Sequence, residues 1–393
     1  MRFSLLSQAL SGATIVVGLP KLSNGVENGL VGLERKAGGI LGNAVGTIIK
    51  DLAPLLPISG MDHKLVSYED ALKEFANAPK APSNPATYND SATPEELAKT
   101  AGGFKTDAVT ETASASCAAN PNIRFEWDNY SASDRQALMS AFKCLMNKPP
   151  SGAFPPSTSR WEDFARLHQM YTPNVHQNQK FLPWHRYFIW SFEQVLREEC
   201  GFNRAFFWFD ETKHAGAFSA SDAFSAPYLG TLGSTSHCVT DGAFAGLTVN
   251  IGPGSGNSPH CLSRQGNSAD TAQCSTAYQN SCLSNSDYAN FEKCFEYGPH
   301  GYGHNGVGGV MADVYASPAE PFFWFHHTFV DRAWRIWENA DPNRLNSIDG
   351  TDINGNPLTL DTVIYMGGLR PDVTIRQVID TLQGDVLCYR YDY

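Results

Sequence analysis

Apolar residues recur at helical spacing in five stretches of this chain, all beyond residue 130. In residues 131–146 (SASDRQALMSAFKCLM), Leu138, Phe142 and Leu145 fall on one face behind a Ser/Asp start signal. Residues 158–171 and 183–200 read as two further helices. The second places Pro183 in its first turn and stops at Cys200-Gly201, where glycine can take the left-handed conformation that ends a helix. The helical pattern returns at 286–297 and at 319–340, the last helix opening at Pro321 and stopping near Asp341-Pro342. Between them, residues 215–286 carry only short apolar runs and read as loop. Upstream, a helix is expected at Tyr68–Phe75, and residues 78–116, rich in Ala, Pro, Ser and Thr, read as a linker or loosely packed arm. No internal repeat is evident. The pattern predicts a mainly α fold with long loops and few short strands.

Composition narrows the possibilities. The chain has 393 residues, 42% of them hydrophobic and only 18% charged, which is ample for a packed core and excludes wholesale disorder. A net charge of −11 with no basic run excludes a nucleic-acid binder, because such a surface would repel phosphates. No apolar stretch is long enough for an ordinary transmembrane helix. Met1-Arg2-Phe3-Ser4-Leu5-Leu6 and the apolar run up to Pro20 read as a secretory signal, so a secreted protein is expected. The chain then divides into a signal at 1–20, an arm at 21–116 and the main domain at 117–393. Nine cysteines (117, 144, 200, 238, 261, 274, 282, 294 and 388) form no CxxC pair, which disfavours a zinc ribbon or a thioredoxin-type motif. Five of them lie in the loop-rich region, where disulfides would staple irregular structure, and the odd count leaves at least one thiol unpaired. Asn89 and Asn129 open glycosylation sequons, which matter if the chain is exported.

The chemistry lies in the histidines. His168, His176 and His185 are spaced by 8 and 9 residues; His300 and His304 stand four apart among glycines, followed by the pair His326-His327. Helical i,i+4 spacing would put His300 and His304 on one face. Burying so many imidazoles among Trp and Phe would leave ring nitrogens unpaired at a cost of several kcal/mol. A metal satisfies one nitrogen of each ring, and the other can donate to a carbonyl or carboxylate. Imidazole-only sets suit copper, zinc or iron better than magnesium or calcium. Three ligands per ion leave an open position on each, which points to chemistry rather than to a structural site. This reading does not choose between His326 and His327, and it leaves a redox-inert zinc protein as a competing interpretation.

With these residues in view, the chain resembles the type 3 dicopper family of tyrosinases, catechol oxidases and hemocyanins, most of all the short secreted fungal members. The matching words are Phe181-Leu182-Pro183-Trp184-His185-Arg186, Glu296-Tyr297-Gly298-Pro299-His300 with His304, Pro321-Phe322-Phe323-Trp324-Phe325-His326-His327 with Asp331-Arg332, and the closing Tyr389-Arg390-Tyr391. The resemblance implies a four-helix bundle around a dicopper centre and long disulfide-bearing loops. It implies one copper on His168, His176 and His185, a second on His300, His304 and His327, and His326 as a neighbour. It implies further that Phe323 is an aromatic gate, that Glu296 holds a water near the substrate, and that Asp331 supports the fold.

The expected activity is O2-dependent oxidation of a small phenolic substrate, an o-diphenol or o-aminophenol, to the o-quinone or quinone imine, in pigment or secondary-metabolite formation. Four departures from the family pattern bear on this. Asn174 replaces the cysteine that cross-links to the second ligand in many fungal members. Glu320-Pro321 replaces Asp-Pro, and Phe207-Trp208-Phe209-Asp210 replaces Tyr-Trp-Asp-Trp. Gly301 occupies the position where efficient monophenol hydroxylases often carry Asn. Weak or absent monophenol hydroxylation is therefore expected. The alternatives are a tyrosinase with full monophenolase activity and a hemocyanin-like O2 carrier. The arm at 21–116 is either a removable shielding pro-segment or a passive wrap.

Overall fold

The computed structural model describes residues 117–233, 237–384 and 386–393. The signal, the arm, the helix at Tyr68–Phe75 and the Asn89 sequon lie outside the described residues.

Three long helices come first: α1 (Ala132–Asn147), α2 (Arg160–Val175) and α3 (Phe181–Cys200). Ser131 and Ser159 cap α1 and α2 by accepting the backbone N–H of Asp134 and Glu162, which satisfies donors that have no partner within the helix. Gly201, at φ 63°, ends α3. Within the stretch read as loop, 215–286, the structure instead forms α4 (Ser268–Thr271) and α5 (Thr276–Leu283); then come α6 (Tyr288–Phe295), α7 (Gly301–Val307) and α8 (Phe322–Asn339), with a one-turn α9 (Ile375–Val378) near the end. Four helical segments, α2, α3, α6–α7 and α8, surround the histidines as a bundle. Its aromatic core is dense: Phe192 of α3 stacks on Trp324 of α8 with centroids 3.6 Å apart, and Phe164 and Trp161 of α2 meet both edge-on.

Strands are few and short. β1 (Asn122–Glu126) runs parallel to β2 (Phe206–Trp208) on one side and to β7 (Tyr389–Tyr391) on the other. The remaining strands form two two-residue antiparallel pairs, β3 (Thr248–Val249) with β4 (His260–Cys261), and β5 (Val363–Ile364) with β6 (Val373–Thr374). Four disulfides join Cys117–Cys388, Cys144–Cys200, Cys238–Cys261 and Cys282–Cys294, and the odd thiol is the buried Cys274.

Two helix ends differ from expectation. The helix expected at 158–171 is longer: α2 runs on through Thr172-Pro173 to Val175. In the last turn a proline forfeits a single helical hydrogen bond, and burial of Thr172, Pro173 and Val175 outweighs that loss. The helix expected at 286–297 stops at Phe295, where a wide turn over Glu296–His300 breaks it before α7. The glycine-rich stretch that follows is helical rather than a turn. Gly303 shows why glycine is needed there, since a Cβ would lie 2.4 Å from the His326 ring.

A buried polar cluster ties the bundle to the sheet. Asp331 of α8 receives Arg186 of α3 at 2.5 Å, Arg124 of β1 at 3.3 Å, and the hydroxyls of Tyr389 and Tyr391 from β7. Arg186 continues to Glu338 at 2.9 Å, and Arg124 to Glu193 at 3.0 Å. The two guanidinium groups also stack on the rings of Trp334 and Tyr389. Burial alone would raise the Asp331 carboxyl, but Arg186 and Arg124 hold it below the usual carboxylate range. The Asp331→Asn protein is expected to lose roughly 3–5 kcal/mol, the scale for uncompensated buried arginines. Because the folded carboxyl titrates below its unfolded value, its stabilisation is complete above about pH 4 and fades as the pH falls through the depressed folded value. The gap between wild type and variant in urea unfolding should therefore be constant near neutrality and close in acid.

Candidate metal centre

Each predicted histidine is placed by a helix or a helix end. His168 sits inside α2, His176 caps its C-terminus, and His185 lies on α3, one turn after Phe181. His300 ends the wide turn, His304 lies within α7, and His326 and His327 lie on α8. His168, His176 and His185 converge in one group, and His300, His304, His326 and His327 in a second, all buried. The two groups abut: the His185 and His327 rings stack 4.5 Å apart, and His176 and His300 lie 6.2 Å apart.

Hydrogen bonding fixes which nitrogens face inward. The Nδ1 atoms of His168, His185, His300 and His304 bond the carbonyls of Tyr315, Phe181, Glu296 and Met311, at 2.8, 2.9, 2.9 and 2.6 Å. A carbonyl only accepts, so these Nδ1 atoms carry the proton and their Nε2 atoms present lone pairs. Nε2 of His168 and His185 are 3.4 Å apart, and Nε2 of His304 and His327 are 3.2 Å apart; Nε2 of His300 is buried without a partner. Burial holds all six imidazoles well below their ordinary pKa, His168 at about 3, and mutual repulsion within the groups adds to this. Neutral imidazoles whose lone pairs converge repel one another unless a cation lies between them. The observed separations match two nitrogens each about 2 Å from one ion at a near-tetrahedral angle. The donor set, entirely nitrogen, fits copper.

His326 is engaged elsewhere. Its Nδ1 lies 2.6 Å from Glu211 Oε1, and its ring packs flat on His300 with centroids 5.2 Å apart. Phe323 is buried one turn before His327, stacked on that ring at 4.0 Å and edge-on to His168 at 5.6 Å, so it borders both groups. Glu296 is buried at the seam between them. Its Oε1 accepts the backbone N–H of Gln177 at 2.8 Å, its backbone carbonyl holds His300, and its Oε2 has no partner. Burial pushes its carboxyl up, and likewise that of Glu292 one turn earlier. Asp331 lies in the polar cluster, away from the histidines, as the resemblance implied.

Sequence reasoning missed several contributors. Gln177 adopts φ 59°, unusual for a non-glycine residue, and so turns its N–H onto Glu296 directly after His176. Met311 and Tyr315 act through backbone carbonyls, which leave no trace in residue identity. Glu211 carries a weak signal, an acid in an otherwise aromatic run. Glu320 keeps a structural role in place of the expected Asp: it accepts the Phe322 N–H and grips Arg264 through both oxygens.

Comparison with known proteins agrees with this geometry. A family model for the common central domain of tyrosinase matches residues 158–340, which contain both histidine groups. Tyrosinase P of Aspergillus terreus is 31% identical over 330 residues, covering 69% of this chain and 92% of that protein. N-acetyl-6-hydroxytryptophan oxidase ivoB of Emericella nidulans is 30% identical over 346 residues, covering 70% of this chain and 93% of that one. Among solved structures, a variant of the polyphenol oxidase from Thermothelomyces thermophila superimposes with a TM-score of 0.65 at 28% identity, over 77% of this chain and 100% of its own. Relatives matched along most of their length, together with two converging imidazole groups inside the matched domain, establish that the chain belongs to the tyrosinase family of copper oxidoreductases.

Proposed function

We propose that this enzyme holds one copper ion on His168, His176 and His185 and a second on His300, His304 and His327. We propose that it uses O2 to oxidise o-diphenols or o-aminophenols to o-quinones or quinone imines, with little or no hydroxylation of monophenols. The observation that carries this reading is the pair of abutting trios whose inward ring nitrogens meet at 3.4 and 3.2 Å. Bound there, copper would supply O2 binding and electron transfer. Two catechols and one O2 give two quinones and two waters.

The chain's own residues supply position and proton handling. Four carbonyls fix the tautomer and the plane of their imidazoles, so that the ligands are organised before any ion arrives. Phe323, flat on His327, offers an aromatic wall against which a phenol ring can pack. Oε2 of Glu296 is the free acceptor for a water or a phenolic hydrogen. A monophenol must lose a proton with a pKa of about 10, so it needs that acceptor more than a catechol does. At position 301 a Cβ would touch only the Glu296 carbonyl, at 3.4 Å, so no side-chain amide assists Glu296 there although there is room for one. The relative that oxidises N-acetyl-6-hydroxytryptophan supports a dedicated phenolic metabolite as substrate, in pigment or secondary-metabolite formation. Four disulfides support secretion, and with it the reading of 1–20 as a signal.

Elemental analysis should find two coppers per wild-type chain, two in His326→Ala and one in His327→Ala. An aerobic panel on the loaded protein should show steady turnover of 4-tert-butylcatechol and o-aminophenol, with tyrosol hydroxylated slowly and after a lag. Glu296→Gln should cut tyrosol hydroxylation about 100-fold, the scale of a lost general base, and leave catechol oxidation nearly unchanged. Gly301→Asn should raise tyrosol hydroxylation. Fast, lag-free tyrosol hydroxylation by the wild-type enzyme would overturn the diphenolase assignment.

A further inference from the structure

His185 and His300 are oriented by the carbonyl of the residue four positions earlier, so each local segment aligns its own ligand. His168 and His304 are not. They belong to different trios, yet their Nδ1 donors both end on one short segment between α7 and α8, at Tyr315 and Met311.

That segment is fixed at two points. Gly308 and Gly309 open it at φ 70° and 59°, and Gly309 packs so closely that a Cβ would fall 2.0 Å from the Ser263 carbonyl. The same carbonyl accepts the Val310 N–H at 3.0 Å. The second point is the buried carboxylate of Asp313. Its Oδ1 accepts the N–H of Tyr315 at 3.0 Å and of Ala316 at 3.3 Å, and its Oδ2 accepts the Gly254 N–H at 2.8 Å. The carboxylate thus closes the turn that presents the Tyr315 carbonyl, and it fastens that turn to the loop carrying the Cys238–Cys261 disulfide.

We infer that residues 308–316 are a brace common to both metal sites, in which Asp313 is the positioning residue for the first: it holds the Tyr315 carbonyl that aligns His168. The inference rests on the two-copper reading above. Met311, which aligns His304, lies on the glycine side of the segment, where the Ser263 anchor holds it independently of Asp313. Loss of the Asp313 carboxylate should therefore weaken the first site and spare the second. Removing a group that orients a ligand from behind typically costs about 10–100-fold in metal affinity.

The test adds Cu²⁺ stepwise to the full-length apo protein, counting bound ions and recording the EPR spectrum. In the wild type the second equivalent should suppress the signal of the first, because cupric ions held on abutting trios couple magnetically. Asp313→Ala should bind its first-site ion about 10–100-fold more weakly and keep an uncoupled signal that matches that of His168→Ala, not that of His304→Ala. Asp313→Asn, which keeps an acceptor for the Tyr315 and Ala316 N–H groups, should restore the coupled pair. Where Asp313→Ala does not fold, Asp313→Ser serves, with the same signal expected and a smaller loss of affinity. Wild-type loading in either folded variant, an equal loss of both ions, or a signal matching His304→Ala would overturn the inference. A wild-type chain that binds fewer than two coppers would overturn the two-copper reading, and this inference with it.

Discussion

Imidazole nitrogens that face one another across little more than 3 Å, buried among aromatic rings, are the constraint on which this domain is built. The arrangement is unfavourable on its own: between His168 and His185, whose Nδ1 protons are both committed to carbonyls, neither ring can donate to the other. It persists because four carbonyls hold the outer nitrogens and because the bundle helices are locked by aromatic packing between α2, α3 and α8. Strain of this kind is released by the cation that the site is built to receive, so ion binding and folding free energy are linked.

The buried acids show how one functional group is put to different uses by its partners. Asp331, between two arginines, stays ionised and joins sheet to bundle. Asp313 meets only backbone N–H groups and shapes a turn. Glu292 and Glu296 have no arginine against them, and burial raises both carboxyls. The first two organise structure; the third pair, beside His300, keeps an oxygen available.

Much of this was legible in the chain. Apolar periodicity located α1, α2, α3, α6 and α8, because each presents a face to one core, but not α5, which buries only Gln279 and Cys282. The spacing of His168, His176 and His185 and the His300/His304 pair announced two ligand groups. Legibility failed where tertiary contact overrode local preference. Pro173 sits in a helix because its surroundings bury it, and Gly303 and Gly306 sit in α7 where the His326 ring and Thr271 leave no room for a Cβ. It failed again where the working atom is a carbonyl, as at Met311 and Tyr315, since any residue could supply it. The bond between His326 and Glu211, more than one hundred residues upstream, was likewise invisible to spacing.

β1 and β7 lie side by side, and the Cys117–Cys388 bond fastens the same two ends. Between those cysteines the backbone is, in topological terms, a closed circuit. A single peptide cleavage anywhere along it opens the circuit without releasing a fragment, so the bundle helices that carry the imidazoles remain one covalent molecule. The domain thereby gains tolerance to nicking, and reductants would remove that tolerance at one bond.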